Sequence, residues 1–553
     1  MSTLFLGGDI VPMTGERDRA EALLVSDDGR IAYVGSLEGS RAAAERLGEP
    51  AREQDLAGAA LLPAFIDPHG HISSTSQYFV ACDLHEAKSF DDLVRLLSAF
   101  AREHGISADG AVLGVGYDQN ELAEGRNPDR RVLDRVPVNA PVLAVHASGH
   151  VLAASTRALE LAGVGAETPD PAGGRYEREA DGRTPNGYVE EPSAMAPIYG
   201  ILAGRVDSRI EPHLDQIQDL YLSHGITTVQ DGAESPAEAE ALAALAAAGR
   251  LKLDVVGYLT CGADIDGFLA GHLDIDAPLA VDARPGGRRF RVGGFKMFLD
   301  GSPQARTAWM SEPYTPGPEG LDYRGFPTMS DEAAYAFARK AVDSGHQLLT
   351  HCNGDAASEQ LLRIYGRALQ DSPNPRKGSL RPVMIHCQTA RRDQFARMGA
   401  LNMVPSIFVS HCWYWGDVHL KNFGPVRGGR ISAVRDALDY GLPYTFHTDT
   451  PIVRPSLLEA VWCAARRVTK RGRQLDEDQR VSVYRGLEAI TSHAAYQYGE
   501  EARKGTLEAG KLADLVVLER NPLEISVDDV RGLRVLETYK EGWSVWSASG
   551  SRA

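Results

Sequence analysis

The chain has 553 residues, 24% of them charged and 43% hydrophobic, with a formal net charge of −17. This is an ordinary globular balance, long enough for a large core with additions, and the acidic excess argues against nucleic acid, whose phosphates call for clustered Lys and Arg. No apolar run reaches the roughly 18 residues of a membrane span, MSTLFLGGDIVPM lacks the regions of a secretory signal, and six cysteines make no disulfide framework, so a reducing cytoplasm is the expected location.

Residues 1–60 hold alternating strand-like runs, TLFLGGDIVPM and EALLVSDDGRIAYVG. Eight further β-like runs follow: Leu61–Asp67, Thr227–Asp231, Leu253–Thr260, Val292–Asp300, His346–His351, Pro382–Cys387, Asn402–Phe408 and Pro443–Asp449. From the second onward most are separated by helical patterns, such as AEAEALAALAAAG and DEAAYAFARKAVDSG, and several helices stop at Gly. Alternating strand and helix predicts a parallel sheet, and eight repeats predict closure into a TIM-type (β/α)8 barrel over residues 61–503.

The interval from about 72 to about 226 is too long for one crossover. It carries an amphipathic helix, FDDLVRLLSAFAREHG, and strands AVLGVGYD and APVLAVHAS. It therefore reads as an insertion on the first βα loop, roofing the C-terminal rim where barrel active sites form. After residue 504, ADLVVLE and LRVLETYKEGWSVWSA are strand-rich again. The two ends, 1–60 and 504–553, are expected to build one small β-sandwich together.

Metal-type residues sit at the ends of several strand runs: His69 and His71 after LLPAFID, Lys296 in GGFKMF, His351 in HQLLTHC, His386 in PVMIHC and Asp449 in PYTFHTD. Ligands spread over nearly four hundred positions meet only if their strands share one functional rim. A His-x-His pair on a strand puts both imidazoles on one face, and neutral imidazoles suit Zn²⁺ or a similar ion. Lys296, in an apolar strand, is either a buried cation paired with a carboxylate such as Asp300, or a lysine carboxylated by CO₂ and shared between two divalent metals. Asp449 is either a helix N-cap or a ligand that shuttles a proton beside a metal, where water has a pKa of roughly 7. Three cysteines follow histidines: Cys352, Cys387 and Cys412. Strand alternation expects Cys352 and Cys387 to pack outward against helices as small hydrophobes.

Together, PAFIDPHGH, FKMFLDGS, HCNGDAA, MIHCQ, HTDTP and GTLEAGKLADLVVLERNPL resemble the amidohydrolase superfamily, most closely its YtcJ-like branch, which includes N-substituted formamide deformylases. The resemblance spans nearly the whole chain, including GYDQNELAEGRNPDRRVLDRVPVNAPVLAVHASGH inside the insertion. It implies that His69, His71 and Asp449 hold one metal, that carboxylated Lys296 with His351 and His386 holds a second, and that Asp449 doubles as general acid/base. His150 falls where the superfamily carries a roof histidine, which implies contact with a substrate carbonyl or carboxylate; a surface loop histidine is the plain alternative. The usual last motif is closer to Gly-Ser-Asp-Ala-Pro, whereas here His447 stands in the first place. His447 is therefore either a group in the leaving-group pocket or packing.

Asp118 in GYDQN and Asp300 in FLDGS are candidate orienting groups, with stabilisation of the turn after its strand the favoured role for Asp300; Trp413, Tyr414 and Trp415 of HCWYWGDVH either wall a pocket for an apolar or aromatic substrate or pack against the insertion or another subunit. The chain has no GxGxxG after a strand, no P-loop and no GxSxG, which leaves nucleotide cofactors and the commonest serine hydrolase signal unsupported. The expected protein is a hydrolase using one or two divalent ions, Zn²⁺ first, on a linear N-acyl or N-formyl amide. The competing readings are a cyclic amidase, deaminase or esterase on the same site, and a metal-binding scaffold without turnover. Its expected partners are a small-molecule substrate and further copies of itself, as a dimer or tetramer, with no nucleic acid and no membrane.

Overall fold

In a computed structural model the described residues are 2–48, 51–260, 289–317 and 320–549. Eight parallel strands make the central sheet: β1 (Phe65–Ile66), β2 (Ile226–Glu234), β3 (Asp254–Thr260), β4 (Phe290–Phe298), β5 (Gln347–Cys352), β6 (Val383–His386), β7 (Val404–Ile407) and β8 (Thr445–Phe446). Each pairs with the next in sequence order. Beyond the strand ends, β1 and β8 are tied by Asp449 N–H to the His69 carbonyl at 3.1 Å and by Thr448 N–H to Asp67 Oδ1 at 3.3 Å. The sheet thus curls into a TIM-like barrel.

Period-2 alternation divides the strand side chains between two cores. Ile66, Val256, Tyr258, Leu349, Val383, Ile385 and Val404 fill one cluster, inside the sheet. Val255, Leu259, Leu348, Cys352, Met384 and Ile407 pack with residues of the surrounding helices in the other. Cys352 and Cys387 both fall in the helix-side cluster, as expected from the sequence.

Two runs depart from the sequence reading. Leu61–Asp67 is two strands rather than one: Ala60–Pro63 pairs antiparallel with Leu515–Leu518, and only Phe65–Ile66 joins the barrel. Pro63 has no N–H to carry a ladder onward, and the next N–H, of Ala64, is spent on the Asp514 carbonyl. The last run also shortens, to Thr445–Phe446, so His447, Thr448 and Asp449 lie past the strand end.

Both termini enter one eight-stranded sheet. Its main path runs through Trp543–Ser547, Val535–Lys540, Leu515–Leu518, Ala60–Pro63, Thr3–Ile10, Ala20–Val25 and Ile31–Gly35. Phe5 and Tyr539 meet edge-on at 5.1 Å although two strands separate theirs in the path, so the sheet folds over its own apolar face. Under the barrel, Asp254 at the start of β3 pairs with Lys504, Lys540 and Arg289, and Arg289 reaches Glu541 as well, binding this sheet to the barrel base.

Between β1 and β2 the chain builds a six-stranded sheet in the order Arg175–Arg178, Pro185–Glu190, Val151–Ala154, Val142–His146, Val112–Tyr117 and Cys82–Asp83. Helix Phe90–Glu103 starts where Ser89 Oγ accepts from Asp92 N–H, with Asp91 and Asp92 in its first turn. Its buried face, Leu93 and Leu97, packs with Leu84 and Val112 of this roof.

Candidate metal centre and its cavity

A cavity of about 500 Å³ lies between roof and barrel mouth, and its floor is His69, His71, Lys296, His351, His386 and Asp449. All six sequence candidates for metal ligation are therefore brought together. Strand alternation alone does not do this. In β6, Val383 and Ile385 point inward, so parity would send His386 out with Met384. His386 instead has a φ of 70° and Cys387 one of 50°, and this left-handed turn swings the imidazole over the mouth. Asp449 has a φ of 54°. Such backbone costs non-glycine residues on the order of 1–3 kcal/mol and persists where surrounding structure imposes it.

Three donor atoms converge most closely. Asp449 Oδ1 lies 3.4 Å from His69 Nε2 and 3.3 Å from His71 Nε2, and the ligand atoms of these three residues all fall within 4.8 Å of one another. Asp449 Oδ1 is buried and accepts no hydrogen bond. Lys296 Nζ sits 3.2 Å from His69 Nε2, and the Lys296 side chain is fully buried. The His351 and His386 rings are 4.6 Å apart, and His69 is 5.6 Å from His386.

Hydrogen-bond accounting fixes which imidazole nitrogens face the centre. Gln230 donates through Nε2 to the Pro68 carbonyl and to Tyr498 Oη, so its Oε1 must accept. That oxygen is 2.6 Å from His69 Nδ1, which therefore carries the proton and leaves Nε2 bare. Asp300 sets the same tautomer in His351, accepting from Nδ1–H at 3.2 Å while three backbone N–H groups, of Trp309, Asn353 and Gly354, hold the carboxyl in place; His351 Nε2, left without a proton, accepts from Asn353 Nδ2 at 3.2 Å. His386 Nδ1 is 3.2 Å from His447 Nε2, and His447 Nδ1 is 2.8 Å from Ser406 Oγ. The tautomers that bare His386 Nε2 are those in which His386 donates to His447 and His447 donates to Ser406. This is the outer-shell pattern of metal-ligating histidines.

Burial, followed by neighbouring Lys296 and histidine charge, holds the His69 imidazole well below its ordinary pKa. Burial also leads for His351 and His386, which are likewise held well below. His447 is pushed down to about 3, again chiefly by burial. Neutral imidazoles and a carboxylate with an unsatisfied oxygen are the donor set a borderline divalent ion such as Zn²⁺ accepts.

The other sequence candidates are placed as follows. His150 is in the cavity wall, its ring 4.7 Å from that of His351. Burial disfavours its charge, but Glu191 beside Nδ1 outweighs this and moves its pKa up. Asp118 is behind the wall, where Trp415 Nε1–H donates to it at 3.2 Å and His146 Nε2 is 3.7 Å away. Against its burial, the neighbouring His146 imidazole and the hydrogen bonds donated by Asn120 pull the Asp118 carboxyl down to about 2. Trp415 thus ties the barrel loop to the roof. Trp413 packs edge-on against Trp462 at 5.2 Å and under Arg531, away from the cavity. His447 lies between His386 and Ser406, and Asp300 lies behind His351.

Sequence reasoning singled out none of Gln230, Asp67, Ser406, Asn353 or Glu191. Gln230 had the one readable signal, a long amide inside the otherwise small and branched run ITTVQDG. The cavity wall also has an apolar part, with Val115, Val145, Ala147, Tyr199, Phe298 and Ile452.

Residues 52–546 match the amidohydrolase family. The chain is 28% identical over 561 residues to N-substituted formamide deformylase of Arthrobacter pascens, covering 99% of each. It is 26% identical over 563 residues to putative amidohydrolase YtcJ of Bacillus subtilis, covering 99% of this chain and 100% of that one. The crystal structure of an uncharacterized metal-dependent hydrolase from Pyrococcus horikoshii shares the fold with a TM-score of 0.72 at 24% identity, covering 96% of this chain and 99% of that one.

Proposed function

Since the chain belongs to the amidohydrolase family and is a hydrolase acting on carbon–nitrogen bonds, we propose that it is metal-dependent and cleaves a small linear N-acyl or N-formyl amide with an apolar or aromatic substituent. The observation that carries this reading is the convergence of His69, His71 and Asp449 at the floor of a roofed cavity. These three would hold one divalent ion, most simply Zn²⁺. His351, His386 and a carboxylated Lys296 would hold a second. When bound, such ions polarise a carbonyl oxygen and make hydroxide available near neutral pH.

The remaining work falls to the chain's own groups. Asp449, with one oxygen unsatisfied, takes the proton of the attacking water and delivers it to the departing nitrogen. His150, in the wall beside His351, donates to the substrate carbonyl oxygen as charge builds there. The roof excludes bulk water. The apolar side of the cavity takes the substituent, and a volume of about 500 Å³ suits a small molecule. The formamide deformylase of A. pascens supports the N-formyl end of this range.

The test is a substrate panel of N-formyl and N-acyl amines, lactams, amino-heterocycles and esters, run with Zn²⁺ supplied. Turnover is expected on the linear amides and to fall at least about 10³-fold in Asp449→Asn. Preference for a lactam or amino-heterocycle would overturn the substrate reading, and full activity of Asp449→Asn would overturn the proton-transfer role.

A further inference from the structure

The geometry points to Glu191 as a positioning residue that locks the His150 imidazole with its Nε2 toward the substrate, making a His–Glu pair on the roof separate from Asp449 on the floor. This rests on the reading of the cavity as the site of amide hydrolysis. Glu191 Oε2 is 2.8 Å from His150 Nδ1, and the Glu191 side chain is fully buried. A buried carboxylate accepts and does not donate when ionised, so Nδ1 keeps the proton and Nε2 is left for the cavity that His150 lines.

Two further observations show that this carboxylate is imposed rather than incidental. Glu191 has a φ of 68° and ψ of 154°, a conformation proper to glycine, at the N-cap of helix Pro192–Gly200. Its N–H donates to the His150 carbonyl at 2.8 Å, so the strained residue is clamped to the residue it orients. Glu191 Oε1, buried and without a hydrogen-bond partner, faces the loop after β4, where Gly301 has no room for a Cβ: Oε1 would lie 2.0 Å from it and Thr307 Oγ1 2.1 Å. The backbone around the carboxylate is thus shaped to admit it. A charged group with an unsatisfied oxygen weakens the fold, and strained backbone of this kind gathers where geometry serves function.

The pair would act without changing protonation bookkeeping elsewhere. With Nδ1–H tied to Glu191, a second proton on the ring sits at Nε2 and is donated to the substrate carbonyl oxygen, and Glu191 stabilises the ring's orientation and charge from behind, as a carboxylate does for a histidine in other hydrolases.

The test uses the metal-loaded full chain and the best amide of the panel, with His150→Gln, Glu191→Gln and the double variant. Glu191→Gln is expected to lose kcat about 10- to 100-fold with KM within about threefold and metal content unchanged. The double variant should be no slower than His150→Gln alone, because Glu191 acts only through that ring. Independent of turnover, ¹⁵N-histidine spectra should show the resonance missing in His150→Gln as Nδ1-protonated in the native chain and mixed in Glu191→Gln. Losses that multiply in the double variant, an intact kcat in Glu191→Gln, or a native His150 protonated only at Nε2 would each overturn the assignment. If the native chain hydrolyses nothing in the panel, the hydrolysis reading fails on its own and the spectra decide the pair.

Discussion

At the scale of single residues, the centre depends on groups that never touch a ligand. Gln230 is the clearest case. Its amide orientation is set by Pro68 and Tyr498, and through Oε1 it sets the His69 tautomer. Gln230→Leu keeps the volume and removes the acceptor, so His69 is free to protonate at Nε2. Metal affinity, measured by competition with a chromogenic chelator, is expected to fall about 10- to 100-fold; unchanged affinity would show that the tautomer does not matter. The ligand candidates were legible in the sequence because histidine, lysine and aspartate are conspicuous at the ends of apolar runs. Gln230, Ser406 and Glu191 were not, because ordinary polar residues acquire meaning only from what stands opposite them, hundreds of positions away. His447 was legible as a departure and not as a role. Past the end of β8, strand parity no longer says where a side chain points.

At the scale of elements, the strand-and-helix alternation made the barrel legible, and the length of the first interval marked it as more than one crossover. The boundaries shifted where backbone chemistry overrides apolarity, as at Pro63. The aromatic loop was legible as pocket wall or as packing against the insertion, but the bond that joins roof to barrel was not: Trp415 on the loop after β7 donates to Asp118 at the end of roof strand Val112–Tyr117. Breaking that bond leaves a buried carboxylate short of a donor, at a cost of roughly 1–3 kcal/mol. Trp415→Phe keeps the ring and loses the N–H. It is expected to raise KM severalfold with kcat and metal content nearly unchanged, since the tether shapes the cavity and not the ligands. A selective loss of kcat or of metal would refute that division.

At the scale of the whole molecule, a barrel mouth packed with neutral histidines has a cost in acid. His69, His351, His386, His411, His419 and His447 are all shifted down, with burial the leading cause. Unfolded, each binds a proton near its ordinary value, so the stability they leave intact above about pH 6.5 is lost as pH falls below it. Asp67 and Asp300 act in the opposite sense. Burial pushes each up to about 7, so each costs stability as pH rises from about 4 through 7. Glu190, Asp231, Glu234 and His150 are raised as well, but His224 and His493 bring the lowered histidines to eight, and these outweigh the raised groups, so the metal-free chain should lose melting temperature between pH 7 and pH 5. With Zn²⁺ present, the same loss should begin at lower pH, because ligation holds the imidazoles neutral. A flat profile for the metal-free chain would contradict the burial argument.

The six residues on the cavity floor are proposed to form a divalent-metal centre that drives hydrolysis of a carbon–nitrogen bond. The most direct measurement is turnover of the preferred N-acyl or N-formyl amine by chelator-stripped protein as Zn²⁺ is added back, with bound metal counted on the same samples. Negligible turnover is expected without metal, with recovery that saturates at one or two ions per chain. Undiminished hydrolysis by protein shown to hold no divalent metal would contradict a metal-driven reaction.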